Sequence, residues 1–266
     1  MAKYLITGGY GFIGTNLVNE LRQNEDNEVI VYPEWLEGQN LSCKKDIDVI
    51  FHLAANTNTL YPNDVEMYQN NINAFLSVLR FAVGYKIKLI YASSAAVYGN
   101  ESKPLNVYAH SKLICEEIAN RYRKTNQIVG LRFFNVYGQN ELHKGNMASM
   151  ITRWSEQIKN GERPKAYKDG TAMRDHIYVK DVIKALRFAE QKENGIYDVG
   201  TGKPESFDEV LRLVQKTLHS SFEPILIDNP YIETYQTYTR AKLDWDFTPD
   251  YTLEEGIEDY LGENNE

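Results

Sequence analysis

Cysteine is nearly absent from this sequence. Its two cysteines, Cys43 and Cys115, belong to no CxxC pair and stand near no histidine cluster. Their scarcity argues against a disulfide framework and a structural zinc site, so no metal ligand is expected, and it points to a reducing cytoplasm. No apolar run is long enough to span a bilayer, and the opening "MAKYLITGG" enters a strand at once, without the basic and apolar stretches of a secretory leader. Positive charge is in deficit, with 29 Lys+Arg against 37 Asp+Glu and a net charge of −8. The long-range field therefore repels nucleic acid and anionic membrane surfaces, and neither is expected as a partner. An anionic small molecule would need a locally basic pocket. Repeats, low-complexity tracts and long linkers are missing as well.

What is present suffices for a full core: 42% of the 266 residues are hydrophobic, enough for one large α/β domain or a dinucleotide domain with a smaller cap. Short apolar runs ("KYLIT", "EVIVY", "DVIFHLAA", "KLIYASS", "IVGLRFF") alternate with helical patterns, the first carrying Ile13, Leu17, Val18 and Leu21. Strands separated by helices predict βαβ units and a parallel sheet. The fold class expected is α/β, a Rossmann-like doubly wound parallel sheet with a smaller C-terminal substrate lobe. After Gly138 a helix is predicted from about Asn146, with Met147, Met150, Ile151, Trp154 and Ile158 as its apolar stripe and Gly161 as its stop. Strand "RDHIYV", helix "KDVIKALRFAEQ" and strand "GIYDVG" follow, the last able to return to the main sheet. Ser206 with Glu209, and Thr252 with Glu255, have capping-box spacing. The division expected is residues 1–138 with about 173–200 for the dinucleotide part, and about 139–172 with 201–266 for the lobe.

"ITGGYGFIG" follows the first strand and opens the first helix, with Gly8, Gly11 and Gly14 on a GxxGxxG spacing. Such glycines let the turn bend, the backbone approach a pyrophosphate and the helix pack on the sheet, while the helix N-terminus favours phosphate charge. Without the strand-turn-helix context this would be only a glycine-rich turn. The second strand ends "VYPEWLEG", with Pro33 where an acid for a ribose hydroxyl would stand and Glu34 next. The stretch from Pro33 to Ile47 is short for a full adenosine half-site. Either NADP or NAD therefore fits.

"YASSAAVYG" leaves a parallel strand at its C-terminal end, where doubly wound sheets place ligands, and offers Ser93 and Ser94. Tyr108 and Lys112 in "PLNVYAHSK" stand four apart at a helix start and so share a face. A tyrosine with an ordinary pKa of about 10 is a poor base at neutral pH; a nearby lysine and a cationic nicotinamide would both favour its phenolate. Taken singly, the tyrosine and lysine also suit a solvated helix face and the serines a helix cap.

On TGxxGxxG, a serine ahead of an "AxxYG" strand exit, and YxxxK, the sequence resembles the extended short-chain dehydrogenase/reductase superfamily over essentially its whole length. The resemblance implies Ser94, Tyr108 and Lys112 as the catalytic trio. Gly8, Gly11, Phe12, Ile13, Gly14, Ala54 and Ala55 would join Tyr108 and Lys112 in binding the cofactor. "RFFNVYG" followed by "HKGNMASM", with "KPLNVY", "NGERPKAY", "RDHIYVKDV" and "YDVGTGKPESF", looks like the ADP-glyceromanno-heptose 6-epimerase family. That family implies inversion at C6 of a nucleotide-linked heptose through a transient ketone. Lys144, matching the lysine of "HKG", would be a second acid/base opposite Tyr108. Asn135 and Arg174 suit the diphosphate, and the same resemblance adds Ser94, His143, Lys144, Ser149 and Tyr235 to the nucleotide-sugar site. Arg174 also has Asp175 and Asp181 nearby in sequence as possible structural partners. The chain departs from the family pattern at Pro33, Leu36 and Thr234, which keeps cofactor and substrate preference open. Competing expectations are another sugar-nucleotide epimerase, dehydratase or reductase, and a non-catalytic nucleotide-binding protein. Self-association is expected from the resemblance.

Overall fold

The computed structural model describes residues 1–32, 46–99, 103–168, 170, 172–229 and 236–262; Pro33, Glu34, Leu36, Cys43, Thr234 and Tyr235 lie outside them. In chain order, β1 (Lys3–Thr7) leads through α1 (Phe12–Arg22) to β2 (Glu28–Tyr32). Then come β3 (Val49–His52), α2 (Asp64–Tyr85), β4 (Lys88–Ser94), a 3-10 turn (Ala95–Tyr98), α3 (Val107–Tyr122) and β5 (Ile128–Phe133). Beyond these lie β6 (Asn135–Tyr137), a second 3-10 segment (Leu142–Met147), α4 (Met150–Lys159), β7 (Lys165–Tyr167), β8 (Met173–Tyr178), α5 (Val179–Ala189) and β9 (Gly195–Val199). The chain closes with β10 (Pro204–Ser206), α6 (Phe207–Thr217), β11 (Ile225–Ile227) and α7 (Leu253–Leu261).

Six strands form one parallel sheet in the order β2-β1-β3-β4-β5-β9. Alternate side chains of each strand feed opposite cores, as the two-residue period of a strand requires. Tyr4, Ile6, Phe51 and Ile90 pack with Leu17 and Leu21 of α1 and Val182 and Leu186 of α5. Leu5, Ile50, Leu89 and Tyr91 pack instead with Phe75 and Leu79 of α2 and Cys115 and Ala119 of α3. Helices thus cover both faces, the doubly wound arrangement expected, and β9 does return to this sheet. The order reverses at β1 and β3, so a crevice opens at the carboxyl ends of these strands.

A third core unites Ile151, Trp154 and Ile158 of α4 with Val210 and Val214 of α6 and Ile257 and Leu261 of α7. Beside it β8 pairs with β6 and β10 in a separate three-stranded sheet. This sheet carries Asn135, Arg174 and His176 to the mouth of the main crevice. Asp175 points the other way along β8, where its carboxylate accepts from the amides of Thr201, Gly202 and Ala241. Asp181 accepts from the amides of Asp250 and Tyr251. Both carboxylates are thus spent on holding loops, and each fastens a segment of the lobe to β8 or α5.

Two local expectations need correcting. The helix after Gly138 starts at Met150 rather than near Asn146, because the 3-10 segment ends at Met147 and Ala148 and Ser149 are extended, with ψ 156° and 155°, before the Ser149 side chain caps α4. The capping box is complete at Thr252 and Glu255, whereas at Ser206 only half of it forms. Ser206 Oγ accepts from the Glu209 amide at 3.2 Å, but the Glu209 carboxylate is turned to Arg212 at 2.6 and 2.8 Å.

Candidate active site

At the carboxyl end of β4, Ser94 Oγ accepts from the Ala96 amide at 3.1 Å, capping the following turn. The Ser94 side chain also hydrogen-bonds the Tyr108 phenol. Asn106 starts α3 by accepting from the Ala109 amide at 2.9 Å, which fixes the phase of the helix and brings Tyr108 and Lys112 onto its crevice side. Lys112 is 6% exposed, and its Nζ donates to the Ala92 carbonyl at 2.8 Å while lying 6.0 Å from the Tyr108 ring centre. Burial pushes the Tyr108 phenol above its ordinary pKa, and the Ser94 hydrogen bond pulls it partly back. The sequence suggested that Lys112 would draw the tyrosine toward its phenolate. In the structure the lysine ammonium is bonded to the β4 backbone and stays 6.0 Å from the Tyr108 ring centre, and Ser94 adds a pull of its own on the phenol. Burial also lowers the Lys112 pKa, against the opposing influence of Cys115 and Glu116.

Glu116, one further turn along α3, is 3% exposed and acts as an anchor. It accepts from Ser93 Oγ at 2.5 Å and from Arg132 at 2.8 and 2.6 Å. Arg132 in turn donates to the Tyr98 phenol at 2.7 Å, which donates to Asp198. This chain ties α3, β4, β5 and β9 together beneath Ser94, Tyr108 and Lys112. Ser93 thereby holds the scaffold while Ser94 faces the tyrosine.

Ser94, Tyr108, Lys112 and Lys144 all line one cavity of about 380 Å³. Lys144 is carried by the 3-10 segment ahead of α4, with Gly138, Asn140 and Gly145 at positive φ around it. Its side chain is 28% exposed, 5.5 Å over the Phe12 ring and 3.6 Å from Glu141 Oε1. Glu141 itself is 1% exposed. It accepts from the Ser149 amide and hydroxyl at 2.8 and 2.7 Å and from Thr152 Oγ1 at 2.7 Å. One buried carboxylate therefore docks the lysine-bearing segment onto the first turn of α4. Ser149, expected to bind substrate, also caps α4 through the Thr152 amide at 3.3 Å.

The cavity reverses the charge balance of the chain. Lys112, Lys144, Arg153 and Arg174 line it against the single carboxylate of Glu141, among the described residues. This is the locally basic pocket that an anionic ligand requires in a protein of net charge −8. Arg174 is 1% exposed, with its guanidinium 5.7 Å from the Phe207 ring centre. Asn135, Phe12, Ile13 and Ala55 line the same space, and Ala54 sits buried behind it against Gly8. A Cβ on Gly8, whose φ is +72°, would come within 2.6 Å of the Ala54 amide. Gly14 likewise packs against the Gly8 backbone. Gly11 differs: it begins α1 with no side-chain cap, and a Cβ there would meet only the Gly8 carbonyl, at 3.3 Å. Its free side and the uncapped amides of α1 form a cradle open to phosphate. His143 is exposed and does not line the cavity, and Tyr235 lies outside the described residues.

Glu141, Arg153 and His176 line the cavity but were not singled out from sequence. His176 had a readable signal, since it lies two residues beyond Arg174 on a strand and so shares its face. Glu141 had none, because its role comes from partners that folding brings to it.

A profile of the NAD dependent epimerase/dehydratase family matches residues 4–200. The ADP-L-glycero-D-manno-heptose-6-epimerase of Brachyspira hyodysenteriae is 33% identical, the match covering 90% of this chain and 89% of that protein. The crystal structure of the Helicobacter pylori ADP-L-glycero-D-manno-heptose-6-epimerase superposes with a TM-score of 0.87 at 32% identity, over 98% of this chain and 95% of that one. The UDP-N-acetylglucosamine 4-epimerase of Methanobrevibacter ruminantium M1, in complex with UDP-N-acetylmuramic acid, superposes with a TM-score of 0.85 at 28% identity, over 98% and 96% of the two chains.

Proposed function

The chain belongs to the NAD dependent epimerase/dehydratase family, and from that premise we propose that it inverts C6 of an ADP-glycero-manno-heptose. The observation that carries this proposal is the meeting of two proton-transfer groups, Tyr108 and Lys144, in one cation-lined cavity. An enzyme that must build either configuration at one carbon benefits from a proton carrier for each. The likeness to the heptose epimerases of two bacteria supports the sugar and the nucleotide.

The described residues suit the family's NAD. Gly11 and the α1 N-terminus would receive the pyrophosphate, with Phe12, Ile13, Ala54 and Ala55 beside it, and Lys112 would hold the nicotinamide ribose. NAD supplies the hydride acceptor and then the hydride donor, so the reaction has no net redox change. Tyr108 Oη takes the proton of the C6 hydroxyl in one configuration, and Lys144 Nζ carries it in the other. In the free site the Ser94 hydroxyl donates to the Tyr108 phenol; with substrate bound its single proton turns to the C6 oxygen and polarises it. Arg174 and Asn135 anchor the diphosphate while the sugar end reorients. In this assignment residues 1–138 with about 173–200 make up the dinucleotide-binding part and the remainder the substrate lobe, with Asn135 and Arg174 reaching from the former to the substrate diphosphate, and the active form is an oligomer of this chain.

Gly11→Ala is expected to leave thermal stability near that of the parent, since φ at this position is −80° and the added methyl meets only one carbonyl. It should weaken NAD binding by roughly tenfold, equivalent to about 1.4 kcal/mol, through crowding of the pyrophosphate. Calorimetric titration with NAD, beside a melting curve, checks both halves.

The activity itself is tested by giving the purified protein ADP-D-glycero-D-manno-heptose and following C6 by NMR, without added cofactor and then with NAD or NADP. The L-glycero epimer is the expected product. The likeness to a UDP-N-acetylglucosamine 4-epimerase favours a second reading, 4-epimerisation of another sugar nucleotide. Conversion of UDP-N-acetylglucosamine in the same assay, with the heptose untouched, would establish that reading instead.

A further inference from the structure

His176 is 3% exposed, yet neither of its ring nitrogens has a hydrogen-bond partner among the described residues. Buried imidazoles seldom go unbonded, because the loss of hydration is otherwise uncompensated. Its position makes the omission informative. On β8 it follows Arg174 by two residues, so both side chains leave the strand on the same face and both line the cavity. The Phe207 ring packs against both, 6.1 Å from the imidazole centre at 75° and 5.7 Å from the guanidinium carbon. The ring thus has a fixed orientation within a wall that ends at the substrate space.

We propose that His176 is a phosphate-recognition residue of the substrate site, donating a ring N–H to a diphosphate oxygen that Arg174 holds at the same time. This rests on the nucleotide-sugar reading of the cavity. A phosphate fits this pair better than a sugar hydroxyl, because an anionic oxygen accepts from an N–H and a guanidinium together and is attracted by the cation beside it. The charged groups sharing the cavity wall are Lys112, Lys144, Arg153, Arg174 and Glu141, a surplus of cations that suits the same anion. Burial and the Arg174 charge hold the imidazole neutral, with its pKa lowered to about 3. One ring nitrogen therefore carries a hydrogen to donate without adding a further buried charge.

The test uses the intact protein saturated with NAD, so that nucleotide cannot occupy the cofactor site. ADP and UDP are titrated calorimetrically into the parent, His176→Phe and His176→Gln, and the 31P resonances of bound ADP are compared. His176→Phe should weaken both nucleotides by about tenfold, the size of one lost hydrogen bond to a charged group. His176→Gln, which keeps an N–H donor, should recover part of that loss. At least one phosphorus resonance of bound ADP should move in both variants. Unchanged affinity in His176→Phe overturns the proposal. So does weakened affinity with both phosphorus resonances unmoved, which would place the contact on the nucleoside. A parent protein that binds neither ADP nor UDP overturns the nucleotide-sugar reading as well. Turnover of the heptose substrate by the parent, with normal nucleotide binding by His176→Phe, removes His176 alone.

Discussion

Replacing Tyr108 with phenylalanine is expected to lower turnover by about three orders of magnitude, the range of a lost general acid/base. The phenol is the group bonded to Ser94 at the carboxyl end of β4, and phenylalanine keeps the ring but removes the proton carrier. The Lys112 contact to the Ala92 carbonyl and the Glu116–Arg132 anchor do not involve the phenol, so the fold should persist. Burial raises the tyrosine pKa, and the positive charge that arrives with NAD opposes that rise. Deprotonation of Tyr108 is what the base role needs, so the rate of the tyrosine-dependent step should climb with pH until the phenol has titrated. That limb should vanish in Tyr108→Phe. Steady-state rates across pH, with NAD binding as the control, check the assignment. A variant with near-parental turnover would remove Tyr108 from the chemistry.

Lys144→Ala should reduce epimerisation by about 10²-fold to 10⁴-fold, while leaving oxidation of the configuration served by Tyr108 largely intact. The side chain is half-buried, lies over Phe12, and is only 3.6 Å from Glu141, so its loss opens no core cavity. The separation of the two activities matters more than the size of either. A purely structural lysine would depress both, whereas a one-sided proton carrier depresses only the complete inversion. Single-turnover reduction of bound NAD, read from nicotinamide absorbance with each epimer in turn, distinguishes the cases. Full epimerase activity in Lys144→Ala would sink the two-carrier mechanism.

Much of this architecture can be read locally. The strand-glycine-helix run at Gly8 to Gly14 and the four-residue spacing of Tyr108 and Lys112 depend on neighbours in sequence, and both occur where expected. The period of two along "RDHIYV" likewise separates Arg174 and His176 from Asp175, which folding assigns to three backbone amides on the other face. What escapes local reading is set by long-range packing. Glu141 looks like a loop acid until α4 places Ser149 and Thr152 over it. The half-formed box at Ser206 fails because Arg212, one turn on, competes for the Glu209 carboxylate. The assignment of β8 to a small separate sheet also has no local signal, since its alternation would suit either sheet.

The most direct test of the central claim follows the hydrogen at C6. ADP-D-glycero-D-manno-heptose carrying deuterium at C6 is incubated with the protein and NAD in ordinary water, and the product is examined by NMR. Oxidation and return within one closed site predicts the L-glycero epimer with deuterium still at C6. An epimer that has exchanged its deuterium for solvent hydrogen would mean inversion through deprotonation at carbon, and would contradict the mechanism built here on Tyr108 and Lys144.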